Sequence, residues 1–306
     1  RRAKSCWAGH SLVPWKSGGV TFSTPISGRW ALSVSGSSKG KTMKTKQNRF
    51  KDGLGDGPPQ LGFWLALASP DIAEICSGLG YDWVLIDGEH GAQTLPGIAN
   101  QLRAVDTVPA CSAIVRVPGH DPVTIRQILD LGAQTIMVPM VDTAQQAAAI
   151  VKASRYPPAG DRGIGGARAA RWGRYPAYVA EANERLCIIA QIETAEALDN
   201  LEAIAAVDGI NALFVGPADL AASLGLLGPA NAAALAQVTG EALARIRATG
   251  TPCGILSRDE RLVQQYLDGG ARFLAVGIDS FTLAKAAGEM ARDWHNRINA
   301  AGNGTK

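Results

Sequence analysis

Cys187-Ile188-Ile189-Ala190-Gln191-Ile192-Glu193 and Ala212-Leu213-Phe214-Val215-Gly216-Pro217-Ala218-Asp219 are the two stretches that decide how this sequence folds. Each is an apolar run of strand length that ends in a carboxylate. The segment between them carries Thr194 as a helix N-cap and Asp208-Gly209 as an exit turn, and its spacing predicts one amphipathic helix. Two strands joined by a helical crossover lie parallel, which places Glu193 and Asp219 at the same end of neighbouring strands. There they can share a cation, and oxygen-only donors suit Mg²⁺ or Mn²⁺ better than zinc. Two carboxylates also leave octahedral positions for water and a chelating substrate. The alternative is that both acids only cap helices, as Asp and Glu after a strand often do.

Working outward, the same strand-then-helix unit recurs from Gln60 onward. Leu61 to Leu67 reads as a strand, followed by Ser69-Pro70-Asp71, an N-cap with proline at the first helical position. Trp83 to Asp87 is the second strand, followed by the loop Gly88-Glu89-His90-Gly91. Ala113 to Val117 is the third; its helix runs from Asp121-Pro122 through Leu131, with Gly132 as the C′ residue. Thr135 to Met140 is the fourth, with a helix from Thr143 to Lys152. The glycine- and arginine-rich stretch from Tyr156 to Gly166 is long for a compact domain and points to a functional loop or an intersubunit contact. Cys253 to Leu256 is the seventh strand, with Ser257 and Glu260 expected to form a capping box. Arg272 to Ile278 is the eighth, and Phe281 to Asn299 forms a final helix.

Eight strands alternating with helices predict an α/β fold, a closed (β/α)₈ TIM barrel, with a doubly wound open sheet as the runner-up. No G-x-G-x-x-G follows a first strand, and no phosphate-binding G-x-x-x-x-G-K-[ST] is present. The 306 residues suffice for one large domain, and a hydrophobic fraction of 46% supports a sizeable core. No window is apolar enough for a membrane span, so a cytoplasmic protein is expected. The net charge of +3 is local in origin: no Asp or Glu occurs from Arg1 through Lys51, and the remainder of the chain is mildly acidic, which argues against a nucleic-acid partner. Residues 1–42, rich in Ser, Gly and Lys, are expected to be a disordered leader, vector-encoded or translated upstream of Met43, with a transit peptide as the alternative. The domain proper is residues 43–306. Five scattered cysteines without a C-x-x-C pair are expected to be reduced, buried thiols.

In such barrels the chemistry sits at the C-terminal ends of the strands. That rule collects Asp87, Glu89 and His90 from the second strand, Arg116 from the third, Gln191 and Glu193 from the fifth, and Gly216-Pro217-Ala218-Asp219 from the sixth. His90 is the strongest general acid/base candidate, with Asp87 as its orienting partner, against the alternative of a solvent-facing loop histidine. Arg116 ends an apolar strand and must be paired; it either pairs with Asp87 or Glu89 or serves as a fixed cation that stabilises a developing oxyanion. The backbone N–H groups of Ala218 and Asp219, at a helix start, can hold a substrate carboxylate. No lysine falls at a predicted strand end, which removes the Schiff-base route and leaves enolate chemistry to a metal.

Taken in order, Gly62-Phe63-Trp64, Asp87-Gly88-Glu89-His90, Val115-Arg116-Val117, Val138-Pro139-Met140-Val141, Tyr156-Pro157-Pro158 through Arg162-Gly163, Gln191-Ile192-Glu193-Thr194 and Gly216-Pro217-Ala218-Asp219-Leu220 resemble the HpcH/HpaI aldolases. The likeness runs from about Asn48 to the terminal helix. It implies a barrel of the phosphoenolpyruvate/pyruvate-domain type and a metal-dependent lyase that reversibly cleaves a 4-hydroxy-2-oxo acid to pyruvate and an aldehyde. It further implies that Glu193 and Asp219 bind a divalent metal (Mg²⁺, Mn²⁺ or Co²⁺) chelated by pyruvate, and that His90, backed by Asp87, moves protons. Arg116 would stabilise the enolate, and Gln191 would help to hold the donor. By the same resemblance the protein is a homo-oligomer, commonly a hexamer, in which the last helix packs on a neighbour. Gly91-Ala92-Gln93 replaces a proline and asparagine common after the histidine in relatives, so acceptor specificity does not carry over. Acyl-CoA lysis of the citramalyl or malyl type, oxaloacetate decarboxylation and a non-catalytic oligomeric scaffold are the competing expectations.

Overall fold

The computed structural model describes residues 46–303 other than position 56; the leader expected over residues 1–42 lies outside the described residues. The elements run α1 (Arg49–Asp52), β1 (Gln60–Leu65), α2 (Pro70–Ser77), β2 (Trp83–Asp87), α3 (Leu95–Val105), β3 (Ser112–Arg116), α4 (Pro122–Asp130), β4 (Thr135–Val138) and α5 (Ala144–Ser154). They continue with α6 (Tyr178–Arg185), β5 (Cys187–Ile192), α7 (Ala195–Asp199), α8 (Leu201–Ala205), β6 (Ala212–Val215), α9 (Pro217–Ser223), α10 (Ala232–Ala248), β7 (Cys253–Leu256), α11 (Glu260–Asp268), β8 (Phe273–Ile278) and α12 (Asp279–Asn303). The strands close in sequence order, each parallel to the next, and β8 pairs with β1. This is the TIM barrel that the strand count predicts.

The alternation of side chains along each strand sorts the core into two layers. Trp83 and Leu85, Ile114, Met137, Cys187 and Ile189, Ala212 and Phe214, and Phe273 and Ala275 fill the barrel interior. Their sequence neighbours Val84, Ile86, Val115, Ile136, Ile188, Ala190, Leu213 and Val215 face outward against the helices. Followed upward, the inward row of β2 reaches Asp87, that of β3 reaches Arg116, and that of β5 reaches Gln191 and then Glu193. A period of two thus carries the apolar filling of the barrel directly into its polar rim. The lower end is plugged by Phe50 of α1, whose ring meets Trp83 edge-on at 6.0 Å and Phe273 at 5.3 Å. Gly62 on β1 is obligatory, because a Cβ there would come within 2.1 Å of the Trp83 indole.

Helix starts follow the expected signals. Ser69, Asp121, Thr143 and Thr194 each cap through their side chains, and Gly132 takes the left-handed conformation after α4 with φ at +100°. Some details differ. The single helix expected between the two deciding strands is broken into α7 and α8 at Asn200, whose side-chain amide donates to the Asp142 carbonyl at 2.8 Å. The expected Ser257/Glu260 capping box is absent: Asp259 caps α11, accepting from Arg261 N–H at 2.9 Å, while Ser257 accepts from Asp259 N–H. β1 stops at Leu65, because the next two N–H groups, of Ala66 and Leu67, donate to the buried Asp279 carboxylate instead of a strand.

Candidate active site

Of the residues collected from the strand ends, all but Glu89 line one cavity of about 260 Å³: Asp87, His90, Arg116, Gln191, Glu193 and the run Gly216-Pro217-Ala218-Asp219. Register explains the first pair. Asp87 and Arg116 end adjacent strands and are direct cross-strand partners. The carboxylate accepts from Arg116 Nε at 2.9 Å and Nη2 at 2.6 Å, a two-pronged pair, and from Trp64 Nε1 at 3.0 Å. Burial works to raise the Asp87 carboxyl, but the hydrogen bonds and charge of Arg116, with Trp64 and the His90 N–H, outweigh it and hold the group below the usual range. Arg116 also lies 2.9 Å from Glu89 Oε2 through Nη1, with its Cζ 5.0 Å from the Trp64 ring centroid. Of the two alternatives for Arg116, the structure forms the pairing, with Asp87 and Glu89 together. Two of its five donors are hydrogen-bonded to Asp87, and the contact with Glu89 is an ion pair without a directed hydrogen bond, so donors are left over.

The expected Asp87–His90 side-chain partnership is not formed. Asp87 accepts from the His90 backbone N–H at 3.1 Å and shapes the loop, but its oxygens are saturated by Arg116, Trp64 and the backbone. The carboxylate nearest the imidazole is Glu89, 3.8 Å from Nε2, and the ring itself is 62% exposed. Burial raises the Glu89 carboxyl, with the charges of Asp87 and Asp219 adding to it and those of Arg116 and His90 opposing.

Neither deciding carboxylate caps a helix. Thr194 takes that role after Glu193, and Gly216 precedes α9, leaving Asp219 in its first turn. Glu193 is buried; its Oε1 accepts from Met140 N–H at 2.7 Å and its Oε2 from Gln191 Nε2 at 2.9 Å. The Met140 donor is aimed by a left-handed backbone, φ +53°, which is rare outside glycine and the kind of strain that functional sites hold. It also ends β4 two residues before the expected limit.

The residues fit a divalent cation. Burial first, then the charges of Asp219 and Glu89, push the Glu193 carboxyl up to about 7, against the Met140 hydrogen bond and Arg116. A carboxylate in that position is stabilised by a cation beside it. Gln191 Oε1 is buried and has no hydrogen-bond partner among the described residues, so the cradle carries a spare acceptor. Gly216 keeps the cradle open, since a Cβ there would lie 2.4 Å from Glu193 Oε2. Among the described residues no three His, Cys, Asp or Glu side chains are placed to hold one metal ion between them. The two carboxylates therefore suit an oxygen-seeking ion that keeps waters, as Mg²⁺ does, and not a closed zinc site.

Sequence reasoning gave no role to the apolar walls, Trp64, Phe214, Leu256, Ile278 and Phe281. Only the inward period of the strands and the start of α12 mark them. His120 stays in its helix-entry turn, with Nε2 2.7 Å from the Pro139 carbonyl. Among the described residues no lysine lines the cavity.

The parallel barrel thus carries paired acids and a clamped arginine at the C-terminal ends of its strands, an arrangement suited to a substrate that develops negative charge. A family model described as HpcH/HpaI aldolase/citrate lyase matches residues 60–286. The chain is 75% identical over 260 residues to a 4-hydroxy-2-oxovalerate aldolase of Novosphingobium aromaticivorans, spanning 85% of this chain and 99% of that one. It is 47% identical over 247 residues to a 4-hydroxy-2-oxo-heptane-1,7-dioate aldolase of Salmonella arizonae, spanning 80% and 94%. A crystal structure of an HpcH/HpaI aldolase/citrate lyase family protein from Burkholderia cenocepacia matches with a TM-score of 0.78 at 37% identity, over 81% of this chain and all of that one. The chain belongs to the HpcH/HpaI aldolase/citrate lyase family.

Proposed function

We propose that this aldolase cleaves a 4-hydroxy-2-oxo acid to pyruvate and an aldehyde, reversibly, with a divalent metal held by Glu193 and Asp219. The observation that carries the reading is the Glu193 cradle: a buried acid beside Asp219, flanked by the unpartnered Gln191 Oε1 and kept open by Gly216. When bound there, the ion would supply Lewis-acid polarisation of the 2-oxo group.

The chain's own groups do the rest. The N–H groups of Ala218 and Asp219, in the uncapped first turn of α9, hold the substrate carboxylate together with the spare donors of Arg116. His90 takes the proton of the 4-hydroxyl, the C3–C4 bond breaks, and its electron pair delocalises onto the 2-oxo oxygen. Arg116, locked by Asp87 and Glu89, meets that charge without reorganising. The aldehyde leaves, and the proton is returned to C3 to give pyruvate. Asp87 is a positioning residue here, fixing Arg116 and the loop backbone of His90.

Leu283, Met290, Trp294 and Ile298 lie along one face of α12, each more than half exposed. This stripe supports a homo-oligomer, with the hexamer of the resemblance as the proposed state. The decisive experiment measures pyruvate release from 4-hydroxy-2-oxo acids after EDTA treatment and after return of Mg²⁺, Mn²⁺ or Co²⁺. Activity should vanish and return; full activity in protein shown to be metal-free would overturn the metal role.

A further inference from the structure

One wall of the cavity carries no charge: Leu256, Ile278 and Phe281, from β7, β8 and the first turn of α12. Phe281 is 52% exposed, so its ring borders both cavity and solvent. Over that ring sits Arg258, from the β7–α11 loop, with its guanidinium carbon 4.0 Å from the ring centroid. Among the described residues Arg258 forms no salt bridge, unlike Arg116, which faces two carboxylates. A cation with no salt-bridge partner among the described residues is thus stacked on the aromatic that forms the cavity edge.

We infer that Arg258 is a specificity-determining residue that recognises a carboxylate at the far end of the substrate, so that the aldehyde half favoured is one ending in an acid group. The inference rests on the aldolase reading above and extends it to the acceptor. Glu193, Asp219 and Arg116 fix the oxo-acid end of the substrate. The apolar wall then accommodates methylene groups, and a tail long enough to pass Phe281 meets the guanidinium fork, whose geometry matches a carboxylate. Stacking on Phe281 pre-orders the arginine, so less freedom is lost when the acid binds. Because this contact lies remote from the bond that breaks, it contributes to binding of substrate and transition state alike and acts on KM more than on kcat.

The test uses the full chain, metal-loaded, in the condensation direction with pyruvate and two aldehydes of equal length: butanal and the four-carbon aldehyde with a terminal carboxylate. Arg258→Met should raise KM for the acidic aldehyde about tenfold or more with kcat within about twofold, and leave both constants for butanal within about twofold. Added salt should weaken the wild-type preference for the acidic aldehyde and leave the variant unmoved. Arg258→Lys should keep part of the preference. Equal effects on both aldehydes, or none on either, would overturn the role of Arg258 while leaving the aldolase reading intact. A wild type that condenses neither aldehyde would overturn the aldolase reading, and this inference with it.

Discussion

His90 and Arg116 line the same cavity but are built differently, one exposed on a loop and one locked at a strand end, and their substitutions should fail differently. His90→Ala should lower turnover about 10²- to 10⁴-fold and leave pyruvate binding intact, because it removes proton transfer only. Arg116→Lys keeps a charge and loses the fork, so binding and enolate formation should both weaken. Exchange of the pyruvate methyl protons with deuterated solvent, followed by NMR, separates the two; wild-type exchange and cleavage in His90→Ala would move the acid/base role to Glu89. Asp87 belongs to stability as much as to chemistry. Its folded carboxyl titrates below its unfolded value, so its contribution is full above about pH 4 and fades as pH falls through the lowered value. Asp87→Asn leaves Arg116 half-paired in a buried site and should cost about 3–5 kcal/mol at neutral pH, with a flatter acid limb in denaturation curves. An unchanged acid limb would show that Asp87 is not the group responsible.

At the level of elements, the site depends on a close approach between the end of β5 and the turn into α9. Gly216→Ala would drive a methyl group into Glu193, so Mn²⁺ affinity measured by calorimetry should fall about 10- to 100-fold while the barrel's circular dichroism stays unchanged. Unchanged affinity would mean that the cradle yields. The strands were legible in the sequence because their apolar runs are β-branched and end in turn or cap residues, and the rim acids because they interrupt those runs. Long-range side-chain bonds were not legible. The break at Asn200 depends on a carbonyl 58 residues away, and the early end of β1 on Asp279 from the far side of the chain. The Asp87–His90 pairing failed for a related reason: three-residue proximity was visible, whereas the stronger claim of Arg116 across the strand pair was not. The apolar walls were hidden because Leu256, Ile278 and Phe281 look like ordinary core in any linear pattern.

For the whole molecule, the exposed stripe of α12 sets the expected assembly. Trp294→Glu places a charge in the middle of that stripe and should shift the mass measured by light scattering to a smaller species, with secondary structure retained; a wild-type mass would remove α12 from the interface. The four described cysteines carry another consequence. Cys76, Cys111, Cys187 and Cys253 are all buried free thiols, and burial first of all pushes Cys111 and Cys187 up to about 12. Burial thus both closes off these thiols and keeps them from ionising, so they react little while the fold is intact. Alkylation of the native protein therefore times the opening of the barrel itself: Cys187, in the interior row that leads up to Glu193, is a stopwatch already fitted to the fold.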